Sequence, residues 1–275
     1  MHQNRCMAEE IFDTVILSDV HLGSEVSRAR EALDVLQSAQ YRRLVLLGDI
    51  FSDLNFSRLT GEHWKFLSYI RKLSNPKRKI EVIWVEGNHD QGLSNVMSHL
   101  VGIPVYERYV WSFQGMRHLA IHGHQFDRWV CRNLLISRIG VRIYEEMQKL
   151  EGGSKPVSRL LDRLNTKFLS LSEKVAAGAL HYARLGTIQR IFCGHTHVPL
   201  HVHKDDIDYF NTGSWIDTNP TYISVGEEGV LIREYEGRID DRHSREERSP
   251  ELAPAADLFE RAGLPAFAAY ESIRC

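Results

Sequence analysis

Five short apolar runs, rich in β-branched residues, each end in a polar cluster. Thr14-Val15-Ile16-Leu17 leads into Ser18-Asp19-Val20-His21, and Leu44-Val45-Leu46-Leu47 leads into Gly48-Asp49. Ile80 to Val85 leads into Gly87-Asn88-His89-Asp90, and His118-Leu119-Ala120-Ile121 into His122-Gly123-His124. The fifth run, Ile191-Phe192-Cys193, leads into Gly194-His195-Thr196-His197. Continuous apolar runs of this length read as strands buried on both faces. Helical patterns separate the first three. Ser27 to Ala39 places Ala29, Ala32, Leu33, Val35 and Leu36 on one side, and Thr60 to Leu73 does the same with Trp64, Phe66, Leu67, Ile70 and Leu73. Strands alternating with helices indicate α/β units, whose ligands sit outside the carboxyl ends of the strands. The pattern therefore predicts that all five clusters converge on one crevice.

A long helical stretch follows the fourth cluster, from about Phe126 to Gly186, interrupted near Gly152-Gly153-Ser154-Lys155-Pro156. A stretch this long between core strands reads as an inserted cap. The strand pattern returns from Asp206 to about Tyr235, with turns at Asn219-Pro220 and Glu227-Glu228-Gly229. The expected organisation is thus one domain over residues 10–236, with the cap inside it at about 126–186. A charged, flexible tail is expected over residues 237–275.

Composition narrows the classes. The chain has 275 residues, 43% hydrophobic and 25% charged, with a formal net charge of −2. No global field draws it to nucleic acid. The first residues lack the apolar core of a secretory signal, and no run is long enough to span a bilayer, so the cytoplasm is the expected compartment. Cys6, Cys131, Cys193 and Cys275 are scattered, which disfavours a disulfide framework or a zinc knuckle. Cys193 reads as a small core residue, and Trp64, Phe66 and Trp84 as core.

The 14 histidines change the picture. Many stand beside Asp, Asn or Gly at the ends of the apolar runs. Any one cluster alone is most often structural; five in order, each ending a strand-like run, are not. Asp19, His21, Asp49, Asn88, His122, His195 and His197 offer imidazole and oxygen ligands without a thiolate, a set that suits Mn, Fe or Zn. Seven ligands exceed one tetrahedral site and suit two adjacent divalent ions, with Asp49 the candidate bridge. Two ions clamp the attacking and leaving oxygens of an in-line displacement and supply hydroxide near neutral pH. No protein nucleophile is then required, and neither a GxSxG elbow nor a GxxxxGK[ST] loop is present.

In this order the motifs SDVH, GDI, GNHD, HGH and GHTH resemble the calcineurin-like metallophosphoesterases over residues 14–235. The resemblance implies a four-layer α/β/β/α sandwich of two mixed sheets. It implies one ion held by Asp19, His21, Asp49 and His197, and a second held by Asp49, Asn88, His122 and His195. His89 would protonate the leaving oxygen or steady the phosphate, with Asp90 orienting it; the alternative is that His89 is a surface histidine. His124 reads as support for its loop. SDVHLGS, GDIF, the helical insertion and Tyr209-Phe210-Asn211-Thr212-Gly213-Ser214-Trp215 are similar to UDP-2,3-diacylglucosamine diphosphatases of lipid A synthesis, with manganese as the expected metal. That branch carries arginine at the position of His89, which puts the substrate, though not the reaction, in question.

The insertion adds its own signal. Between Arg128 and Arg190 stand 12 Lys/Arg against 5 Asp/Glu. Trp129, Leu134, Leu135, Ile136, Ile139 and Val141 are apolar at helical spacing, with Arg128, Arg132, Arg138 and Arg142 among them. Such a helix suits an anionic membrane surface or acyl chains, or it packs on the core with its arginines in solvent. Arg159, Arg163 and Lys167 form one basic helical face that either grips a diphosphate or is simply solvated, and Lys174 is a candidate of the same kind. The expected substrate is a nucleotide-linked lipid pyrophosphate, met by peripheral contact with the inner membrane. The alternative is a soluble phosphodiesterase or phosphomonoesterase acting on a nucleotide or phosphoprotein.

Overall fold

A computed structural model of the chain describes residues 11–92, 98, 102–127 and 171–237. The chain divides into two units, Met1–Tyr235 and Glu236–Cys275, and every described strand and helix belongs to the first. The strands are β1 (Ile11–Leu17), β2 (Gln40–Leu47), β3 (Glu81–Val85), β4 (Val105–Tyr106), β5 (Arg108–Phe113), β6 (Met116–Ile121), β7 (Arg190–Cys193), β8 (Leu200–Lys204), β9 (Ile207–Asn211), β10 (Thr221–Gly226) and β11 (Gly229–Glu234). The helices are α1 (Ala29–Ser38), α2 (Gly61–Leu73) and α3, described over residues 171–185.

Two mixed sheets form. The first has six strands in the order β11-β10-β1-β2-β3-β4, and the second has five in the order β5-β6-β7-β9-β8. In the first, β1 to β4 run parallel and β10 is antiparallel to β1; in the second, β6, β7 and β9 run parallel, flanked by antiparallel β5 and β8.

Side chains alternate between the faces of a strand, which explains why the apolar runs are continuous. Val15, Leu17, Leu44, Leu46, Val82 and Trp84 join the core under α1 and α2. Ile16, Val45, Leu47, Ile83 and Val85 join a second core with Ala120, Phe192 and Phe210 of the other sheet. Cys193 points to the opposite face from Phe192 and is fully buried. There it lies near Val175 of α3, which also buries Ala176, Ala179, Leu180 and Ala183. Helices, sheet, sheet and helix make the four layers that the family resemblance implies.

One core expectation fails. Trp64 is 46% exposed. The buried stripe of α2 runs through His63, Phe66, Leu67, Ile70 and Leu73, and this phase turns Trp64 outward. The seat at the start of the stripe goes to His63, whose Nδ1 accepts the amides of Gly23 and Thr60, each at 3.2 Å. Trp84 and Phe66 are in the core as expected. Strands β4, β5 and β8 have no counterpart in the apolar-run reading. Most of the expected cap, and the tail beyond residue 237, lie outside the described residues.

Candidate metal centre

All five polar clusters follow parallel strands at their carboxyl ends: three after β1, β2 and β3 of the first sheet, two after β6 and β7 of the second. Pairing continues past the strand ends and locks the loops together. Asp19 N–H donates to Gly48 O at 3.0 Å, His21 N–H to Asp49 O at 3.1 Å, and Gly194 N–H to His122 O at 2.9 Å. Between these bonds the chain turns sharply. Asp19, His21, Asp49, His195 and His197 all have positive φ, from 48° to 69°. Non-glycine residues rarely adopt this left-handed backbone, Asp and His being among the more tolerant, and it collects where a site is held under strain.

Two glycines serve close approach. A Cβ on Gly87 would land on the backbone nitrogen and carboxylate of Asp49, and one on Gly194 would land on the Asp19 carboxylate and the Ser18 hydroxyl. The loops pack this closely only because these positions lack side chains.

Two triads result. The ligand atoms of Asp19, His21 and His197 lie within 4.8 Å of one another, as do those of Asp49, His122 and His195. His197 Nε2 is 3.2 Å from Asp19 Oδ1, and His122 Nε2 is 3.2 Å from Asp49 Oδ2. His21 Nε2 and His197 Nε2 face each other at 3.4 Å. An ion with N and O ligands at about 2.0–2.2 Å holds them about 3.3–3.6 Å apart at tetrahedral angles. With His21 Nε2 3.8 Å from Asp19 Oδ1, the separations bracket that spacing.

The polar inventory agrees. Asp19 Oδ1, His21 Nδ1, Asn88 Oδ1 and His122 Nε2 are buried without a hydrogen bond. Asp19 Oδ1 and His122 Nε2 are ligand atoms of the triads, where a divalent cation would satisfy oxygen and neutral nitrogen alike, whereas His21 meets the centre through Nε2 and not through Nδ1. His122 Nδ1–H donates to Leu47 O at 2.9 Å, which turns Nε2 toward Asp49. A backbone carbonyl fixing the tautomer of a ligand imidazole is a common supporting contact. Asp127 gives His195 a similar partner, with Oδ2 3.5 Å from Nε2, and leaves Nδ1 for a ligand role.

Charge follows the same division. Burial would raise the Asp19 and Asp49 carboxyls, yet His197 holds the first, and His122 with His89 the second, below the ordinary value. Burial pushes His21 down to about 3, so its imidazole is neutral. Burial would also lower His122, but the adjacent Asp49 carries it up to about 9. Burial likewise lowers His195, whereas Asp19 raises His197 against burial, so a divalent ion entering the centre would displace the protons that His122 and His197 hold. Asp19, His21, Asp49, Asn88 and His122 are buried, whereas His195 and His197 are partly exposed and form the open side of the centre.

His89 is 4% exposed, so it is not a surface histidine. Its Nδ1–H donates to Ser52 O at 2.7 Å, and its Nε2 is 3.9 Å from Asp49 Oδ2. The orienting role expected of Asp90 is corrected here. The Asp90 carboxylate accepts the amides of Ile50 and Phe51 at 3.1 and 3.0 Å, so it braces the loop after Asp49. The Ser52 carbonyl holds His89 instead. Burial and the nearby Asp49 raise the Asp90 carboxyl to about 7.

His124 lies against the centre, its ring 5.5 Å from that of His122, and Gln91 Nε2 reaches it at 3.4 Å. Asn211 was not singled out by sequence. Its Nδ2 donates to Gly194 O at 2.7 Å and its Oδ1 accepts from Gly213 N at 3.0 Å, which anchors the GHTH loop. Lys174 is exposed on α3, next to the Val175 that packs near Gly123. Arg159, Arg163 and Lys167 lie outside the described residues.

The sequence profile of the calcineurin-like phosphoesterase superfamily domain matches residues 12–226, a span that contains every candidate ligand. The chain belongs to this superfamily. It is a metal-dependent phosphoester hydrolase of the calcineurin-like fold. No curated protein matches it in sequence. Several solved structures are distantly similar. YfcE, a phosphoesterase from E. coli, is 18% identical, with 79% of this chain and 90% of that chain covered at a TM-score of 0.46. A novel archaeal phosphodiesterase is 14% identical, with 80% and 97% covered at 0.44. Vps29 from Entamoeba histolytica complexed with Zn²⁺ is 13% identical, with 80% and 97% covered at 0.40. Among the described residues, no helix of this calcineurin-like chain is long and apolar enough to cross a membrane.

Proposed function

We propose that the chain hydrolyses a phosphate ester or anhydride at a dinuclear centre. Asp19, His21, Asp49 and His197 hold one ion, and Asp49, Asn88, His122 and His195 hold the other. The observation that carries this reading is the pair of Asp/His triads, whose facing ligand atoms stand 3.2–3.8 Å apart. Divalent ions there supply Lewis acidity to the phosphoryl group and a hydroxide nucleophile at neutral pH. Manganese is the metal expected from the family branch that the motifs resemble, and the mixed set of imidazoles and oxygens is equally compatible with iron or zinc.

The protein's own contribution is positioning and a proton. His89 keeps Nδ1–H on Ser52 O, so in the imidazolium form the proton on Nε2 is the one it would give to the leaving oxygen. Asp90 fixes the amides that follow Asp49 and thereby the direction of the bridging carboxylate. Asp127 and the Leu47 carbonyl orient His195 and His122.

For the substrate, the basic amphipathic insertion between the HGH and GHTH motifs supports a nucleotide–sugar lipid pyrophosphate of the UDP-2,3-diacylglucosamine type. Arg159, Arg163, Lys167 and Lys174 would then meet the diphosphate, at the cytoplasmic face of an anionic membrane. Replacement of that branch's arginine by His89 favours a second reading, a soluble phosphodiester or phosphomonoester, because imidazole can donate a proton where a guanidinium only clamps charge. Product analysis with Mn²⁺-loaded protein separates the two. Release of UMP and a lipid monophosphate from UDP-2,3-diacylglucosamine supports the lipid reading. Turnover of bis(p-nitrophenyl) phosphate without turnover of the lipid discards it and keeps the centre. Failure on the lipid, on the diester and on p-nitrophenyl phosphate, with two ions bound, overturns the hydrolase reading of this site.

A further inference from the structure

A second group of metal-capable side chains stands on the β8–β9 hairpin, away from the dinuclear centre. His201 and His203 are two residues apart on β8, so they share one face of the strand. Asp208 of β9 lies directly across from His203, and Phe210 across from His201. Both imidazoles converge on one oxygen: His201 Nε2 is 2.8 Å from Asp208 Oδ1, and His203 Nδ1 is 3.0 Å from the same atom. Arg190 approaches only the other oxygen, with Nε 4.0 Å from Oδ2.

We propose that His201, His203 and Asp208 form a third metal site, selective for a borderline transition ion such as Ni²⁺, Zn²⁺ or Cu²⁺. Ligands at about 2.0–2.2 Å from one ion are about 3.3–3.6 Å apart at tetrahedral angles. The two N···O spacings need to open by a few tenths of an ångström, while the two imidazole nitrogens, which do not lie within 4.8 Å of each other, need to close on the ion. The ion takes the place of the two imidazole N–H protons and binds the same three atoms. His201 is already fixed, its ring lying flat on Phe210 with centroids 4.3 Å apart and planes 3° apart. His203 is exposed enough to turn, with 60% of its side chain accessible, and water completes the coordination. Two imidazoles to one carboxylate favour Ni²⁺, Zn²⁺ and Cu²⁺ over Mg²⁺ or Mn²⁺. Asp208 is ionised and available, since both imidazoles hold its carboxyl below the ordinary value against the effect of burial.

The position is independent of the catalytic loops. Asn211, at the other end of β9, anchors the GHTH loop, whereas His203 and Asp208 are near the hairpin turn. An ion here would clip the edge strand β8 to β9. It would also make bulk metal counts exceed two per chain and mix two metal types.

The test uses the untagged full chain, loaded first with Mn²⁺ and then titrated with Ni²⁺ by calorimetry, with released Mn²⁺ counted by its paramagnetic resonance signal. Wild type is expected to take up one more equivalent of Ni²⁺ than the doubly substituted variant His201→Asn/His203→Asn, without extra Mn²⁺ release. Hydrolysis of a p-nitrophenyl phosphodiester should be unchanged in that variant. Equal Ni²⁺ uptake by the two proteins, or wild-type uptake fully matched by Mn²⁺ release, overturns the site. Neither result depends on whether the dinuclear centre has the proposed substrate.

Discussion

His118 and His122 stand at the start and just past the end of β6, on the same face and both fully buried, yet their surroundings could hardly differ more. His122 has Leu47 O on Nδ1 and the Asp49 carboxylate 3.2 Å from Nε2, and it is carried up to about 9. His118 sits among Trp111, Phe113 and Phe192 with neither nitrogen hydrogen-bonded; burial, then Arg190 and Arg43, push it down to about 4. One histidine faces a carboxylate at the candidate centre and the other is packed as an aromatic. Burial alone therefore does not distinguish a ligand from a core residue. The carboxylate in front and the carbonyl behind do.

The largest expected effect comes from removing that carboxylate. Asp49→Ala should lose both ions and all turnover above background, by elemental analysis and phosphodiester hydrolysis. Two ions retained per chain would remove Asp49 as the bridge. His89→Ala should keep both ions and lower turnover by about 10²–10⁴-fold, the usual contribution of a positioned general acid. Full activity in that variant would leave His89 a structural tie to Ser52.

His118→Phe should leave metal content and turnover unchanged and alter only acid stability. The unfolded imidazole titrates near 6.5, the folded one near 4. Between those values the unfolded chain binds the extra proton, so stability present above about pH 6.5 falls as pH drops toward 4. The variant lacks this slope. It should resist acid unfolding better than wild type at pH 4–5, by at most about 3 kcal/mol, in urea melts at several pH values. Parallel pH dependence in the two proteins would show that His118 is not the titrating group. The smallest effect should come from Trp64→Ser, on the exposed side of α2. A change within about 0.5 kcal/mol is expected there, and a larger loss would mean that this face packs against something.

The same contrast explains what could be read from sequence. The ligand motifs stood out because each polar cluster follows a run made continuous by burial on two faces, as Leu44 to Leu47 show. The supporting contacts did not. Ser52 O and Leu47 O are backbone atoms, and no residue type announces a carbonyl aimed at an imidazole. Asp127 and Asn211 reach their partners only through the fold, across 68 and 17 residues. The resemblance implies that Asp90 orients His89, but its oxygens meet amides 40 and 39 residues away. β5 buries only Trp111 and β8 carries two histidines, so neither shows the apolar run that marks a central strand. Trp64 reads as core because its side chain is apolar and stands three residues before Leu67, whereas His63, satisfied by two amides, occupies the inner position.

The metal loops come from both sheets, Asp19, His21, Asp49 and Asn88 from one and His122, His195 and His197 from the other. Occupancy is then linked to how firmly the two halves of the sandwich stay in register. By reciprocity, whatever loosens the packing of Val45, Ile83 and Phe192 weakens the grip on the ions, and the ions in turn raise the melting temperature. Substitutions deep in this core, far from any phosphate, would surface first as enzymes that need more metal.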